Sequence, residues 1–293
     1  MLRRQRIILS MLNEAGTPLH KTLLVKLAFL LRVETSVAKE CAFYDFVPYK
    51  YGPFSFVLYH ELNRMEKEGH VLMRPDHVCV TAQGKRLVWD TDAARTDPVA
   101  PAVAFVIASY AAKGLPWVIE YVYEQHGWYA TRSEPRQSSA VPEASNTCTP
   151  AAVYTIGYEG TSVDSFFDKL LRAGIPSIVD VRANPVSRKY GFSKGALSRI
   201  ARDLGINYKH VPALGIPSRL RRDLGDMASY QGLLDIYEFE MLPQRERELS
   251  ALAGLFRETP SALVCMENDP RRCHRARLAI ALSNKVGLPI LHL

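Results

Sequence analysis

Val153-Tyr154-Thr155-Ile156-Gly157-Tyr158-Glu159-Gly160-Thr161-Ser162 decides the architecture of this chain: a short apolar strand, a glycine-flanked turn, then residues that open a helix. Downstream the same alternation repeats. Ser177 to Val181 reads as a second strand, Tyr208 to Val211 as a third, Ala262 to Met266 as a fourth and Pro289 to Leu291 as a last. Helical spacing fills the intervals over Val163 to Leu171, Gly195 to Leu204, a long stretch from Tyr230 to Phe256, and Arg272 to Val286. Strands alternating with helices predict an α/β domain, a Rossmann-like parallel sheet with helices on both faces, over residues 151–293.

Upstream, residues 134–150 are rich in Ser, Thr and Pro and show no apolar period, which marks a linker. Residues 1–133 have helical spacing at Ile7 to Leu12, Leu23 to Leu31 and Phe56 to Met65. A small hairpin follows (Val71 to Met73, then Val78 to Val80), and Thr81 is placed to cap another helix. Val103 to Ala112 and Trp117 to Gln125 add two more helices. Helices followed by a two-stranded wing are the order of a winged helix-turn-helix. The helix expected from Ser55 to Gly69 carries Arg64 and Lys67 against Glu61, Glu66 and Glu68, a poor surface for phosphates and better read as a solvated face. Before it stands Tyr51-Gly52-Pro53-Phe54-Ser55, with Pro53 suited to a first helical turn and Ser55 to a cap. This stretch resembles winged-helix-like antitoxin domains, which implies a docking module.

The 293 residues suit two domains, and 47% hydrophobic with 23% charged residues is ordinary globular composition. The basic start Met1 to Arg6 is followed by too short an apolar run for a signal peptide, and no run approaches the roughly 18 residues of a membrane span. Five scattered cysteines argue against a disulfide framework and for reduced thiols in a cytoplasmic protein without a membrane partner. The net charge is +7, and from Ala151 onward fifteen Arg stand against five Lys, the residue type that grips phosphate or carboxylate in a fork.

In an open parallel sheet, ligands bind beyond the carboxyl ends of the strands. That rule points to three loops: Gly157 to Gly160, Asp180 to Asn184, and Cys265 to Arg275. Gly157 and Gly160 flank a turn that opens a helix, an expected anion cradle but not a dinucleotide fingerprint. The motifs Tyr154-Thr155-Ile156-Gly157-Tyr158-Glu159-Gly160-Thr161, Asp180-Val181-Arg182-Ala183-Asn184-Pro185 and Cys265-Met266-Glu267, five residues, then Cys273-His274-Arg275 closely resemble the family known as domain of unknown function 488, from Val153 to Leu293. The resemblance implies a Rossmann-like fold with a site at these motifs, and no reaction.

The residues leave three chemistries open. Glu159, Asp180 and Glu267, each at a strand end, are expected to converge. Grouped carboxylates suit glycosidic or base-modifying chemistry on a nucleotide or nucleic acid. His274, Arg182 and Arg275 would then hold a phosphate or sugar, Tyr158 would stack on a base, and Asn184, Arg188 and Tyr190 would line the substrate path. The basic, aromatic loop from Pro185 to Lys194 and the stretch Leu214 to Arg222 fit single-stranded or flipped-out nucleic acid. Against that carboxylate role, Asp180 and Arg182 also suit a plain ion pair. The second chemistry is a thiol, Cys273 near a helix start beside Arg272 and Arg275, with Cys265 as partner or as simple packing. Adjacent Cys273 and His274 would splay about 100° apart on a helix. The third is a metal: Cys265, Glu267, Cys273 and His274 are ligand types, but their spacing matches no familiar closed zinc site. A hydrolase or transferase on a nucleotide or nucleic acid is the favoured reading, with no cofactor assigned. A DNA-binding or ligand-sensing regulator is the rival from another class.

Overall fold

A strand that ends in a parallel sheet delivers its last side chain to the same edge as its neighbours, so strand direction and register place the site. The protein is represented by a computed structural model that describes residues 1–89, 97–134, 149–221 and 227–293. Contacts divide the chain into two compact units, Met1–Asn146 and Thr147–Leu293. Most of the stretch read as a linker, 135–148, lies outside the described residues.

The N-terminal unit contains α1 (Arg3–Glu14), β1 (Leu19–His20), α2 (Lys21–Glu34), α3 (Val37–Glu40), β2 (Val47–Tyr49), β3 (Gly52–Phe54), α4 (Phe56–Lys67), β4 (Val71–Met73), β5 (His77–Val80), α5 (Ala82–Trp89), α6 (Ala100–Tyr110) and α7 (Leu115–Gln125). The expected hairpin β4–β5 forms, and β1 joins it antiparallel, pairing Leu19 with Val78, to make three strands. A two-residue strand is too short to show alternation in the sequence. Ser55 caps α4 through the Leu58 N–H at 3.2 Å, as its residue type predicts. Pro53 is not in that helix: it lies on β3, paired with Pro48 across a tight hairpin whose Gly52 takes φ +90°. The acidic face of α4 also needs correcting. Glu61 is buried, held by Arg4 at 2.5 Å and by the Tyr44 hydroxyl at 2.6 Å. Among the described residues no single helix is long and apolar enough to cross a membrane; α6 and α7, the most apolar pair, bury Val103, Val106, Val118 and Val122 in the core of this unit.

The C-terminal unit alternates β6 (Val153–Gly157), α8 (Val163–Arg172), β7 (Ser177–Asp180), α9 (Lys194–Asp203), β8 (Asn207–His210), α10 (Met227–Ile236), α11 (Glu246–Glu258), β9 (Ser261–Cys265), α12 (His274–Val286) and β10 (Ile290–His292). The five strands form one wholly parallel sheet in the order β10-β6-β9-β7-β8. Val153, Val179 and Leu263 pack into one core with Leu234, Leu252 and Leu278 of the helices. The alternate residues Ile156, Ile178 and Val264 are equally buried, so the sheet is covered on both faces, as parallel sheets are. The long helix expected over Tyr230 to Phe256 is interrupted: a wide turn at Tyr237–Met241 and a tight one at Leu242–Arg245 separate α10 from α11. Pro243 explains the break, since it has no N–H for the helical ladder.

Candidate metal centre

The register sets Gly157 beside Cys265, and Asp180 beside Val264 and His210, so the carboxyl ends of β6, β9 and β7 form one edge. The three loops predicted from the sequence leave this edge. They do different work.

The loop after β6 is a clamp. The N–H groups of Tyr158 and Glu159 both donate to the Met266 carbonyl, at 3.1 and 2.8 Å, and Glu159 accepts from the Asn268 N–H at 3.2 Å. The N–H groups of Tyr158 and Glu159 in the expected anion cradle are thus taken by the chain itself. Gly157 is required for a different reason. A Cβ there would stand 1.9 Å from the Glu267 carbonyl oxygen, so only glycine lets the two loops touch. Gly160 closes the same turn, at φ +74°.

The loop after β7 is an ion pair. Asp180 is fully buried and takes a two-pronged contact from Arg182 at 2.8 and 2.6 Å, with the Tyr208 hydroxyl donating at 2.7 Å. Arg182 donates further to the Tyr158 hydroxyl at 3.0 Å and the Phe192 carbonyl at 2.8 Å, while its own carbonyl accepts from His210 at 2.9 Å. The Tyr158 ring stacks on Phe192 (4.2 Å, 12°) rather than facing a base. Burial works against the Arg182 charge, but the bonds and charge of Asp180 more than restore it, so its pKa is raised. Asp180, Arg182 and Tyr158 are consumed by one another, so Asp180 has no spare valence with which to join Glu159 and Glu267 on a substrate. Asn184 and Arg188 are exposed, and Tyr190 is half-buried, in the basic loop. That loop is tied to the clamp by Lys189, which donates to the Tyr158 carbonyl at 3.0 Å.

The loop after β9 gathers reactive groups. Cys265 ends the strand, and the sulfurs of Cys265 and Cys273 lie 3.1 and 3.0 Å from the same Glu267 oxygen, Oε2. His274 Nδ1 is 3.7 Å from the Cys265 sulfur, and these three ligand atoms all lie within 4.8 Å of one another. Cys273 is not helical: it is the N-cap of α12 with φ −138° and ψ 132°. The expected splay of neighbouring helical side chains does not apply, and Cys273 and His274 turn to the same centre. The other carboxylate oxygen of Glu267 accepts from the Tyr230 hydroxyl at 3.2 Å and faces Arg221 at 3.5 Å. Arg221 also reaches His274 Nδ1, at 3.1 Å. His274 Nε2 is 3.3 Å from the Val181 carbonyl, which can only accept. That contact assigns the proton to Nε2 and leaves Nδ1 a lone pair aimed at the sulfurs.

Two sulfurs and a carboxylate oxygen within 3.1 Å cannot all be charged without a cation or a shared proton. Burial raises the Cys265 thiol, but the hydrogen bond with Cys273 and the charge of Arg221 oppose it and hold Cys265 well below the usual thiol range. Cys273 is pushed well above that range by burial and by its bond to Cys265. Ligands at 2.0–2.3 Å in a tetrahedron stand about 3.5 Å apart, close to the separations seen here.

Arg275 needs correction too. It is 1% exposed and donates to the carbonyls of Glu267 and Asn268 (2.9 Å to the latter) and to Thr155 Oγ1 at 3.3 Å. It braces the loop that presents Glu267 and leaves no donor pattern for a phosphate. Sequence reasoning passed over Tyr230, Tyr237 and Tyr208. Tyr237 lays its ring edgewise on His274 at 5.2 Å and donates to the Leu214 carbonyl at 2.7 Å. Arg221 was visible only as one base of a basic stretch whose last residue, Arg222, lies outside the described residues.

Residues 162–282, within the C-terminal unit, match the family model described as Domain of unknown function DUF488. No curated protein and no solved structure matches the chain.

Proposed function

We propose that the C-terminal domain is an enzyme acting on a nucleotide or nucleic-acid substrate through a thiophilic divalent ion of the zinc class. Cys265, Cys273 and His274 would hold the ion, with Glu267 as fourth donor. The observation that carries this reading is the convergence of two sulfurs, an imidazole lone pair and a carboxylate oxygen in one buried centre. A free nucleophile must be reachable, whereas Cys265 and Cys273 are 0% and His274 1% exposed; metal ligands tolerate that burial. The Val181 carbonyl on His274 Nε2 is the outer contact that orients a metal-binding imidazole. The ion would supply Lewis acidity. Glu267, braced by Arg275 and Tyr230, would hold or pass a proton beside it. The basic loop carrying Arg188, Lys189 and Lys194 supplies the charge a phosphate-bearing substrate needs.

The two-carboxylate glycosidic route is the weaker reading, because Asp180 has no valence left for substrate. For the N-terminal unit, α1, β1, α2 and α4 followed by the β4–β5 hairpin, with α3 and the β2–β3 hairpin between α2 and α4, support a winged-helix docking module. A reducing cytoplasmic setting fits the free thiols at Cys41, Cys79, Cys265 and Cys273.

Elemental analysis of the purified full chain tests the centre. The expected result is a single zinc-class ion, lost in Cys265→Ser, Cys273→Ser and His274→Ala and retained in Cys79→Ser, with turnover of a nucleotide substrate following occupancy. A chain that takes up no ion, or ions that survive all three substitutions, overturns the proposal.

A further inference from the structure

Arg221 sits where it conflicts with the proposed ion. Its terminal nitrogen is 3.1 Å from His274 Nδ1, and its other nitrogen is 3.5 Å from Glu267 Oε1. In the tautomer fixed by the Val181 carbonyl, Nδ1 has a single lone pair. That lone pair can accept from a guanidinium or coordinate a metal, and it cannot do both. The two cations also compete for the same negative charge. A guanidinium keeps its proton at any ordinary pH, so Arg221, in contact with both His274 and Glu267, stands in the centre as a cation. Unlike Arg182 and Arg275, Arg221 is not locked in. Its side chain keeps 29% of its exposure, and its contacts to the centre are one nitrogen bond and one long ion pair.

We propose that Arg221 is a place-holder for the ion: it neutralises the empty centre, and when the ion enters it is released to bind an anionic group of the substrate, a phosphate. The exchange moves no electrons. Arg221 keeps its proton, the ion takes the Nδ1 lone pair, and any proton still on the sulfurs passes to solvent, since the ligands must be thiolates. The freed guanidinium swings through a few ångströms beside the ion, with a fork suited to a phosphoryl group. Ion binding and anion binding are then coupled. Each must strengthen the other by the same factor, because an anion that holds Arg221 outward removes the ion's competitor. The inference rests on the metal reading above and can fail while that reading stands.

The test is a titration of the full chain with zinc, its free concentration buffered by a chelator, with and without inorganic phosphate. Wild-type protein is expected to bind zinc severalfold more tightly with phosphate present, and to bind phosphate severalfold more tightly when loaded with zinc. Arg221→Ala is expected to bind zinc about tenfold more tightly than wild type, about 1.4 kcal/mol, and to show no response to phosphate. Arg221→Lys keeps the charge and loses the fork, and should fall between the two. Thermal melts check that each variant is folded. Zinc binding that is unchanged by Arg221→Ala and by phosphate sinks the place-holder role and leaves the metal centre intact; absence of zinc binding in every variant sinks the centre itself.

Discussion

The ends of β7 and β9 carry buried charge in opposite ways. At β7 every charge has its counterpart: Asp180 meets the two prongs of Arg182, and their spare capacity is taken by Tyr208, Tyr158 and Phe192. At β9 potential anions outnumber cations: two thiols and a carboxylate share one partly exposed Arg221. A closed network is a structural device, and an anion-rich one is a site that expects a cation. The lesson is that conspicuous charged residues at a strand end are sorted by whether their valences are already spent, and residue type does not reveal that.

The sharpest way to break this comparison is to make the same carboxylate-to-amide change at both ends. Asp180→Asn leaves Arg182 buried without its counter-charge and is expected to lose about 3–5 kcal/mol in urea unfolding; a loss under about 1 kcal/mol would show that β7 is not the closed network described. A second contrast comes from Lys26 in the N-terminal unit, fully buried with one described bond, to the Pro53 carbonyl at 2.8 Å. Burial lowers its pKa from 10.5 to about 7. The unfolded chain therefore holds this proton between about pH 7 and 10.5 while the folded one has released it, so stability rises with pH across that window. Each pKa unit is worth roughly 1.4 kcal/mol. Urea unfolding as a function of pH should show the rise in wild type and lose it in Lys26→Met; equal pH slopes would refute the assignment.

Arg275→Met comes next. It strips two loop carbonyls and Thr155 of their donor and is expected to lose about 1–3 kcal/mol and to weaken zinc binding through the misplaced Glu267. Unchanged zinc affinity would end its role in positioning that carboxylate. The smallest effect on stability belongs to Glu267→Gln. In chelator-treated protein it removes surplus negative charge, and a change within about 1 kcal/mol is expected, together with weaker zinc binding. A loss as large as that of Asp180→Asn would erase the distinction between the two strand ends.

The sheet was legible in the sequence because five apolar runs separated by helical spacing allow one arrangement, and parallel direction then lines up Gly157, Asp180 and Cys265. The convergence of Cys273 with His274 was not legible. It depends on the helix starting two residues later than its expected start at Arg272, with Cys273 extended as the cap. Arg221 reaches His274 across 53 residues, a distance that no local spacing encodes. Asp180 differs for the converse reason: its strand-end position is legible in the sequence, but its hydrogen-bond saturation appears only in three dimensions. Glu61 followed the same course, a residue on a polar-looking face that Arg4 and Tyr44 draw inside.

The bare Cα of Gly157 has a mechanical consequence. Because the Glu267 carbonyl rests against it, and because Met266 and Asn268 bond to the turn at Tyr158 and Glu159, the loop bearing Glu267 is riveted to the loop of the neighbouring strand. Lys189 fastens the basic loop to the same turn. Any movement of the Glu267 loop must therefore carry all three segments together, as one body.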